Sequence, residues 1–286
     1  MKYMFLRFPE GKTKALTMSY DDGCRQDKRF SETITPYGLK CTFNINAGYY
    51  GVNERDWHLT RDEIQKAIVD KGHEIAVHGF IHRANGKQRT IEGIRDVLDC
   101  RLALERDFGG IIRGMAYPDS GIRQMMNGAT YESVRNYLCE LDIAYSRTLG
   151  GDNNNFDLPD DWYAWMPTAH HNNPKLFDWF DEFLTIDVDN EYCARRYPRL
   201  FYIWGHSYEF DTNNNWERLE RICEKISGHS EIWYATNGEI REYVKAYDSL
   251  VFSASGTVVY NPTVTAVWFN VDGKSYCIEA GATLNI

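Results

Sequence analysis

From Ala15 to about Asp248, short apolar runs alternate with longer amphipathic stretches. The apolar runs fall at residues 15–19, 41–45, 74–77, 111–116, 144–146, 200–204 and 232–234, and each has the length and composition of a strand. Between most of them the spacing changes to one apolar residue every three or four, which predicts helices over 61–71, 91–108, 131–141 and 216–226. Thr60 followed by Glu63 has the form of a capping box opening the first of these helices. Seven strands interleaved with helices predict βα units and a parallel sheet, closed or nearly closed: a (β/α) barrel over residues 1–248. Past Leu250 the texture becomes β-rich with Gly, Pro and Asn turns, and residues 249–286 read as a small β appendage packed on the barrel. That segment is too short for a secure core of its own.

Composition narrows the class without changing this outline. An apolar fraction of 43% supplies a sizeable core, and a formal net charge of -9 argues against nucleic acid or an anionic membrane surface as the main partner. No apolar run approaches the length of a membrane span. The seven cysteines are widely spaced with no Cys-x-x-Cys pair, so neither a disulfide framework nor a cysteine zinc site is expected. No signal peptide is visible before Leu16, which makes the cytoplasm the default compartment, although a trimmed secreted protein would read the same. Aromatic residues at 14% lend weak support to a sugar ligand, since most rings in any globular protein are core.

The candidate chemistry sits where strands end, and a barrel places its active site on the loops after strand C-termini. The first strand ends in Tyr20, Asp21, Asp22 and Gly23; a turn there lets two adjacent carboxylates approach one site. The third strand runs into His78-Gly79-Phe80-Ile81-His82, and histidines four apart meet on one face of a helical turn. Two imidazoles with Asp22 as third ligand suit zinc, while two histidines and a carboxylate also describe non-haem iron sites. The fourth strand leads into Ala116, Tyr117, Pro118, Asp119 and Ser120, a turn whose N–H groups suit a developing oxyanion. Late in the chain an apolar strand carries Tyr202, Trp204 and His206 on one face. Each signal alone reads as an ordinary turn or surface histidine; their joint placement at strand ends is what points to a site.

In this order the motifs resemble the polysaccharide deacetylases, the NodB-homology, chitin deacetylase-like carbohydrate esterases. The resemblance spans roughly Ala15 to Asp248, and its specific part is the Asp-Asp pair with the His-x-x-x-His pair. It implies a distorted β/α barrel, Asp21 as catalytic base, Asp22, His78 and His82 as metal ligands, and His206 as general acid. The family's third motif usually reads Arg-x-Pro-Tyr. Here Ala116 stands at the Arg position and Asp119 at the Tyr position, so the Asp119 N–H takes the Tyr's backbone role and the orienting Arg is missing. Arg113 is the nearby substitute, but an ordinary ion-paired Arg is the favoured reading of that position. Trp162 and Trp165 match the family's fourth motif poorly.

The expected protein is therefore a metal-dependent hydrolase, zinc foremost, that removes acetyl groups from N- or O-acetylated carbohydrates. Trp204 would line the pocket for the acetyl methyl, beside Tyr117 and Pro118. Two alternatives stand beside it: a catalytically silent sugar-binding protein on the same fold, and a metal-dependent hydrolase of another non-peptide C–N bond.

Overall fold

The computed structural model describes residues 2–51 and 57–286. The chain opens with β1 (Met4–Arg7), β2 (Lys14–Asp21), α1 (Gln26–Ile34), β3 (Thr42–Ile45), α2 (Arg61–Ala67) and β4 (Glu74–Val77). Next come α3 (Thr90–Phe108), β5 (Gly114–Ala116), α4 (Tyr131–Glu140), β6 (Tyr145–Arg147), β7 (Ala169–His170) and α5 (Leu176–Thr185). Then follow β8 (Arg199–Gly205), α6 (Tyr208–Thr212), α7 (Trp216–Ile226), β9 (Ile232–Tyr234) and α8 (Asn237–Asp248). The expected capping box is present: Thr60 accepts from the Glu63 N–H while Glu63 accepts from the Thr60 N–H.

The central sheet runs β6-β5-β4-β3-β2-β8-β7 with every pair parallel. β9 lies beside the first residues of β2, before β3 joins that edge at Ser19. A single parallel bridge between Arg147 and Trp165 links β6 to the segment that leads into β7, so the curled sheet comes almost round on itself. All seven sequence-predicted strands are present. The two-residue β7 went unread, being too short to show a period.

Strand alternation decides which residues meet the site. On β2, Leu16, Met18 and Tyr20 pack outward with Phe30 and Ile34 of α1, and on β8 Phe201 and Ile203 join the same layer. The opposite face, with Ala15, Leu200, Tyr202, Tyr145 and Trp165, fills the barrel interior. Toward the strand C-termini that interior turns polar: Asn44 Nδ2 donates to Ser19 Oγ and to Asp21 Oδ1, both at 2.8 Å. Toward the N-termini it is plugged by the start of α8, where Asn237 N–H donates to Thr42 Oγ1 (3.0 Å) and Gly238 N–H to Glu74 (2.8 Å).

The C-terminal segment forms β10 (Val251–Phe252), β11 (Val258–Tyr260), β12 (Val267–Val271), β13 (Lys274–Ile278) and β14 (Thr283–Asn285). They make two three-stranded sheets, and β1 supplies an edge of one by pairing antiparallel with β12. A small core of Val259, Val267, Phe269 and Ile278 packs with Ala246 of α8 and Leu250. The seven cysteines are all free. Among the described residues no helix is long and apolar enough to cross a membrane.

Candidate active site

The inward face of β2 delivers Asp21 at its end. A regular strand would then send Asp22 outward, but Asp22 takes φ 82° and Gly23 φ 63°, which turns both carboxylates to the same mouth. The turn is thus made at the Asp itself, and a non-glycine residue at positive φ is a strained arrangement of the kind concentrated at functional sites.

His78 and His82 arrive differently from the helical turn the spacing suggests. Residues 78–82 form an irregular loop in which Gly79 has φ 73° and His82 φ 54°. Two observations explain it. Asp96 of α3 accepts the Phe80 and Ile81 N–H groups at 3.1 and 3.2 Å, drawing the loop down onto the helix. A Cβ on Gly79 would lie 2.6 Å from Asp96 Oδ2, so only glycine fits there. The loop still brings the imidazoles together, their centroids 5.0 Å apart.

Asp22 Oδ1 lies 3.4 Å from His78 Nε2 and 3.3 Å from His82 Nε2, and the three ligand atoms fall within 4.8 Å of one another. His78 Nδ1 is 2.9 Å from the Ala116 carbonyl oxygen. A proton on Nδ1 satisfies that contact and leaves the Nε2 lone pair facing Asp22, the arrangement typical of a metal-bound histidine. The donor set, its spacing and this tautomer fit a divalent cation. Burial alone would raise the Asp22 carboxyl, but with no cation bound, hydrogen bonds from His78 and His82 and the charges of His78 and His206 carry it well below the usual range. His82 is shifted up; burial opposes the shift, and the Asp22 carboxylate outweighs it.

Asp21 is buried and accepts from Asn44 on Oδ1 and from the Arg147 guanidinium on Oδ2. Burial favours the neutral acid, yet the charges of Arg147, His78 and His206 hold Asp21 below the usual carboxylate range. Arg147 sits at the C-terminal end of β6 on the inward face it shares with Tyr145, and its guanidinium lies 4.7 Å from the Trp204 ring. Arg113 is elsewhere. It pairs with Asp142 (2.8 Å) and Glu242 (3.0 Å) at the opposite end of the sheet, and its neighbour two along, Met115, points outward. It lies on the wrong face and at the wrong end to reach Asp21.

Tyr117, Asp119 and Trp204 line the mouth together with Asp21, Asp22, His78, His82, His206, Ser120, Leu149 and Tyr208, around a cavity of about 430 Å³. Pro118 stands behind the lining, against the Gly79 loop, and its carbonyl accepts from the Gly121 N–H at 2.9 Å to close the turn. Asp119 adopts φ 51°, and among the described residues no hydrogen bond engages its N–H. Its carboxylate faces Lys87 at 3.3 Å. Trp165, by contrast, is buried in the barrel interior against Tyr145 and Tyr202.

His206 follows β8 and places Nε2 3.9 Å from Asp21 Oδ2 and 4.0 Å from Asp22 Oδ2. Its Nδ1 is 3.0 Å from Glu209 Oε1, one turn further on. Glu209 Oε2 is in turn 3.1 Å from each of His170 Nε2, His171 Nε2 and Asn172 Nδ2. His170, His206 and Glu209 are spaced closely enough to hold a cation themselves. The tautomer argues otherwise: His170 Nδ1 accepts the Asn172 backbone N–H at 3.1 Å, so a neutral His170 carries its proton on Nε2 and donates it to Glu209. Burial would raise the Glu209 carboxyl; donors from His170, His171 and His206 take it well below its ordinary value. Burial would lower His206, but Glu209, Asp21 and Asp22 raise it.

Arg147, Glu209 and Asn44 are site residues that sequence reasoning missed. Arg147 had a usable signal, a charge directly after a short apolar strand, as Asp21 has in β2. Glu209 had only its i,i+3 spacing from His206, which countless surface pairs share.

The polysaccharide deacetylase family profile matches residues 9–136, from just before β2 into α4, and so includes Asp21, Asp22, His78, His82 and Asp119. Over that stretch the chain is similar to the polysaccharide deacetylases. Solved structures agree in fold. A protein assigned as a polysaccharide deacetylase from Mycobacterium smegmatis is 17% identical, with a TM-score of 0.56 over 85% of this chain and 94% of that one. One from Pseudomonas aeruginosa PAO1, with the same assignment, is 14% identical, with a TM-score of 0.56 over 82% and 92%. PuuE allantoinase is 13% identical, with a TM-score of 0.54 over 82% and 91%. No curated protein matches the sequence. The deacetylase-like match ends well before His206, so the late histidine rests on the geometry alone.

Proposed function

We propose that this protein is a metal-dependent hydrolase that removes acetyl groups from N- or O-acetylated sugars. The observation that carries the reading is the meeting of an Arg-paired Asp21, the Asp22–His78–His82 cluster and a Glu-paired His206 at one mouth. A divalent cation, zinc foremost, held by Asp22, His78 and His82 would polarise the acetyl carbonyl and acidify a water. Asp21, kept ionised by Arg147 and aimed by Asn44, takes the proton of the attacking water. The Asp119 N–H, free for a ligand in the Pro118 turn, donates to the developing oxyanion. Trp204 and Tyr117 wall the acetyl methyl. His206 delivers its Nε2 proton to the leaving nitrogen or oxygen, and Glu209 on Nδ1 holds the ring in that orientation.

Hydrolysis of a small or cyclic amide is a second reading. It is favoured by the departure from Arg-x-Pro-Tyr and by the shared fold of an allantoinase. The test is acetate release from a panel of N-acetylated chito-oligosaccharides and acetylated xylo-oligosaccharides, run beside cyclic amides. The intact protein should release acetate, and Asp21→Asn should slow it by about 10²–10⁴-fold while keeping its metal. Opening of cyclic amides with no acetate release selects the second reading, and inactivity on both groups defeats the first.

A further inference from the structure

We propose that Trp57 and Tyr208 form a stacking platform for a pyranose ring beside His206, a sugar subsite at the rim of the mouth. The inference rests on the acetyl-sugar reading only for its direction: the acid lies where the sugar departs, so the sugar must lie beside His206.

The first support is how firmly Trp57 is held. Residues 57–59 run antiparallel to residues 23–25, directly after Asp22. Arg25 N–H donates to the Trp57 carbonyl at 2.9 Å, Leu59 N–H donates to the Gly23 carbonyl at 3.0 Å, and Cys24 bridges His58 between them. The backbone that carries the indole is therefore fixed relative to the Asp pair.

The second is its exposure. Of the eight tryptophans, Trp57 is the only exposed one, at 40%. A large ring pinned on the surface adds little to the core, and its hydration is unfavourable until something covers it.

The third is continuity with the acid. The Trp57 ring lies 5.5 Å from Tyr208, and Tyr208 lies 5.2 Å from His206 and lines the same cavity. His58 packs edge-on against Trp57 at 4.6 Å. An aromatic wall thus leads outward from the proposed proton donor, and its Tyr208 and His58 members carry polar atoms as well as rings. A pyranose has the matching chemistry: an axial C–H face to lie on a ring and a rim of hydroxyls for polar partners. A protein partner would need a far larger apolar surface than one indole beside a cleft of carboxylates and imidazoles.

The test reads binding, so it separates from the deacetylase reading. Tetra-N-acetylchitotetraose and an acetylated xylotetraose are titrated calorimetrically into Asp21→Asn protein with Trp57 intact, with Trp57→Ala and with Trp57→Phe. At least one sugar should bind, Trp57→Ala should weaken it about 10-fold, and Trp57→Phe should regain most of that loss. Failure of both sugars to bind, or equal affinity with and without the indole, overturns the platform. Indole-dependent binding, when the parent protein with Asp21 intact releases no acetate from the same sugars, would instead overturn the deacetylase reading and leave the platform standing.

Discussion

On β6 the inward positions are Tyr145 and Arg147, and the strand ends where the second of them meets Asp21. A guanidinium offers a planar fork that an ammonium cannot reproduce, so orientation of the base depends on arginine and not on charge alone. Arg147→Lys should lower kcat by roughly 10²-fold, the penalty of a misaligned reacting group, whereas Arg113→Ala should leave it unchanged. Steady-state kinetics on an acetylated oligosaccharide decide this, and equal losses in both variants would return Arg113 to consideration. The contrast also marks what sequence could reveal at this scale. Asp21, Asp22, His78, His82 and His206 were legible because rare residue types fell together at strand ends. Arg147 and Glu209 were not, because their partners lie across the barrel or on an unremarkable helical spacing, and only the folded chain selects them.

Among the elements, α1 was not read, since its polar sequence offers few apolar positions: Phe30 and Ile34 are its large buried ones. It also buries Asp27, whose Oδ1 accepts from Ser207 Oγ at 2.6 Å and whose Oδ2 has no partner among the described residues. Burial, with the nearby Asp22 and Asp21 charges, pushes this carboxyl up to about 8, against a reference of 3.8. A folded value above the unfolded one means the stabilising contribution is complete below the unfolded pKa and is lost as pH rises toward 8. Asp27→Asn keeps the shape and removes the titration. Its stability relative to the parent should climb between about pH 4 and 8 with a slope of up to about 1.4 kcal/mol per unit. Denaturant melts in chelator across that range measure it; a flat difference would show Asp27 to be ionised throughout. The His-x-x-x-His segment teaches the complementary lesson. Spacing placed both histidines at one site, but the helical turn behind that expectation gave way to a loop pinned by Asp96 on α3, the helix that follows it.

For the molecule as a whole, the barrel was legible because apolar runs and amphipathic helices alternate over most of the chain, and that pattern admits few other architectures. The partnership of β1 with β12 was not, because antiparallel pairing between the two ends of a chain leaves no local trace. All the proposed chemistry lies at the C-terminal ends of β2, β4, β5, β6 and β8, while the opposite end is sealed by α8, so the site has one open mouth. The central claim is that this mouth works through a cation held by Asp22, His78 and His82. The most direct test strips the protein with chelator, restores zinc in measured steps and follows bound metal and acetate release on the same samples, with His78→Ala and His82→Ala alongside. The account predicts that activity rises in proportion to metal up to one ion per chain, and that neither variant regains metal or activity. Acetate release that persists without metal, or one tightly bound ion in both variants, would contradict it.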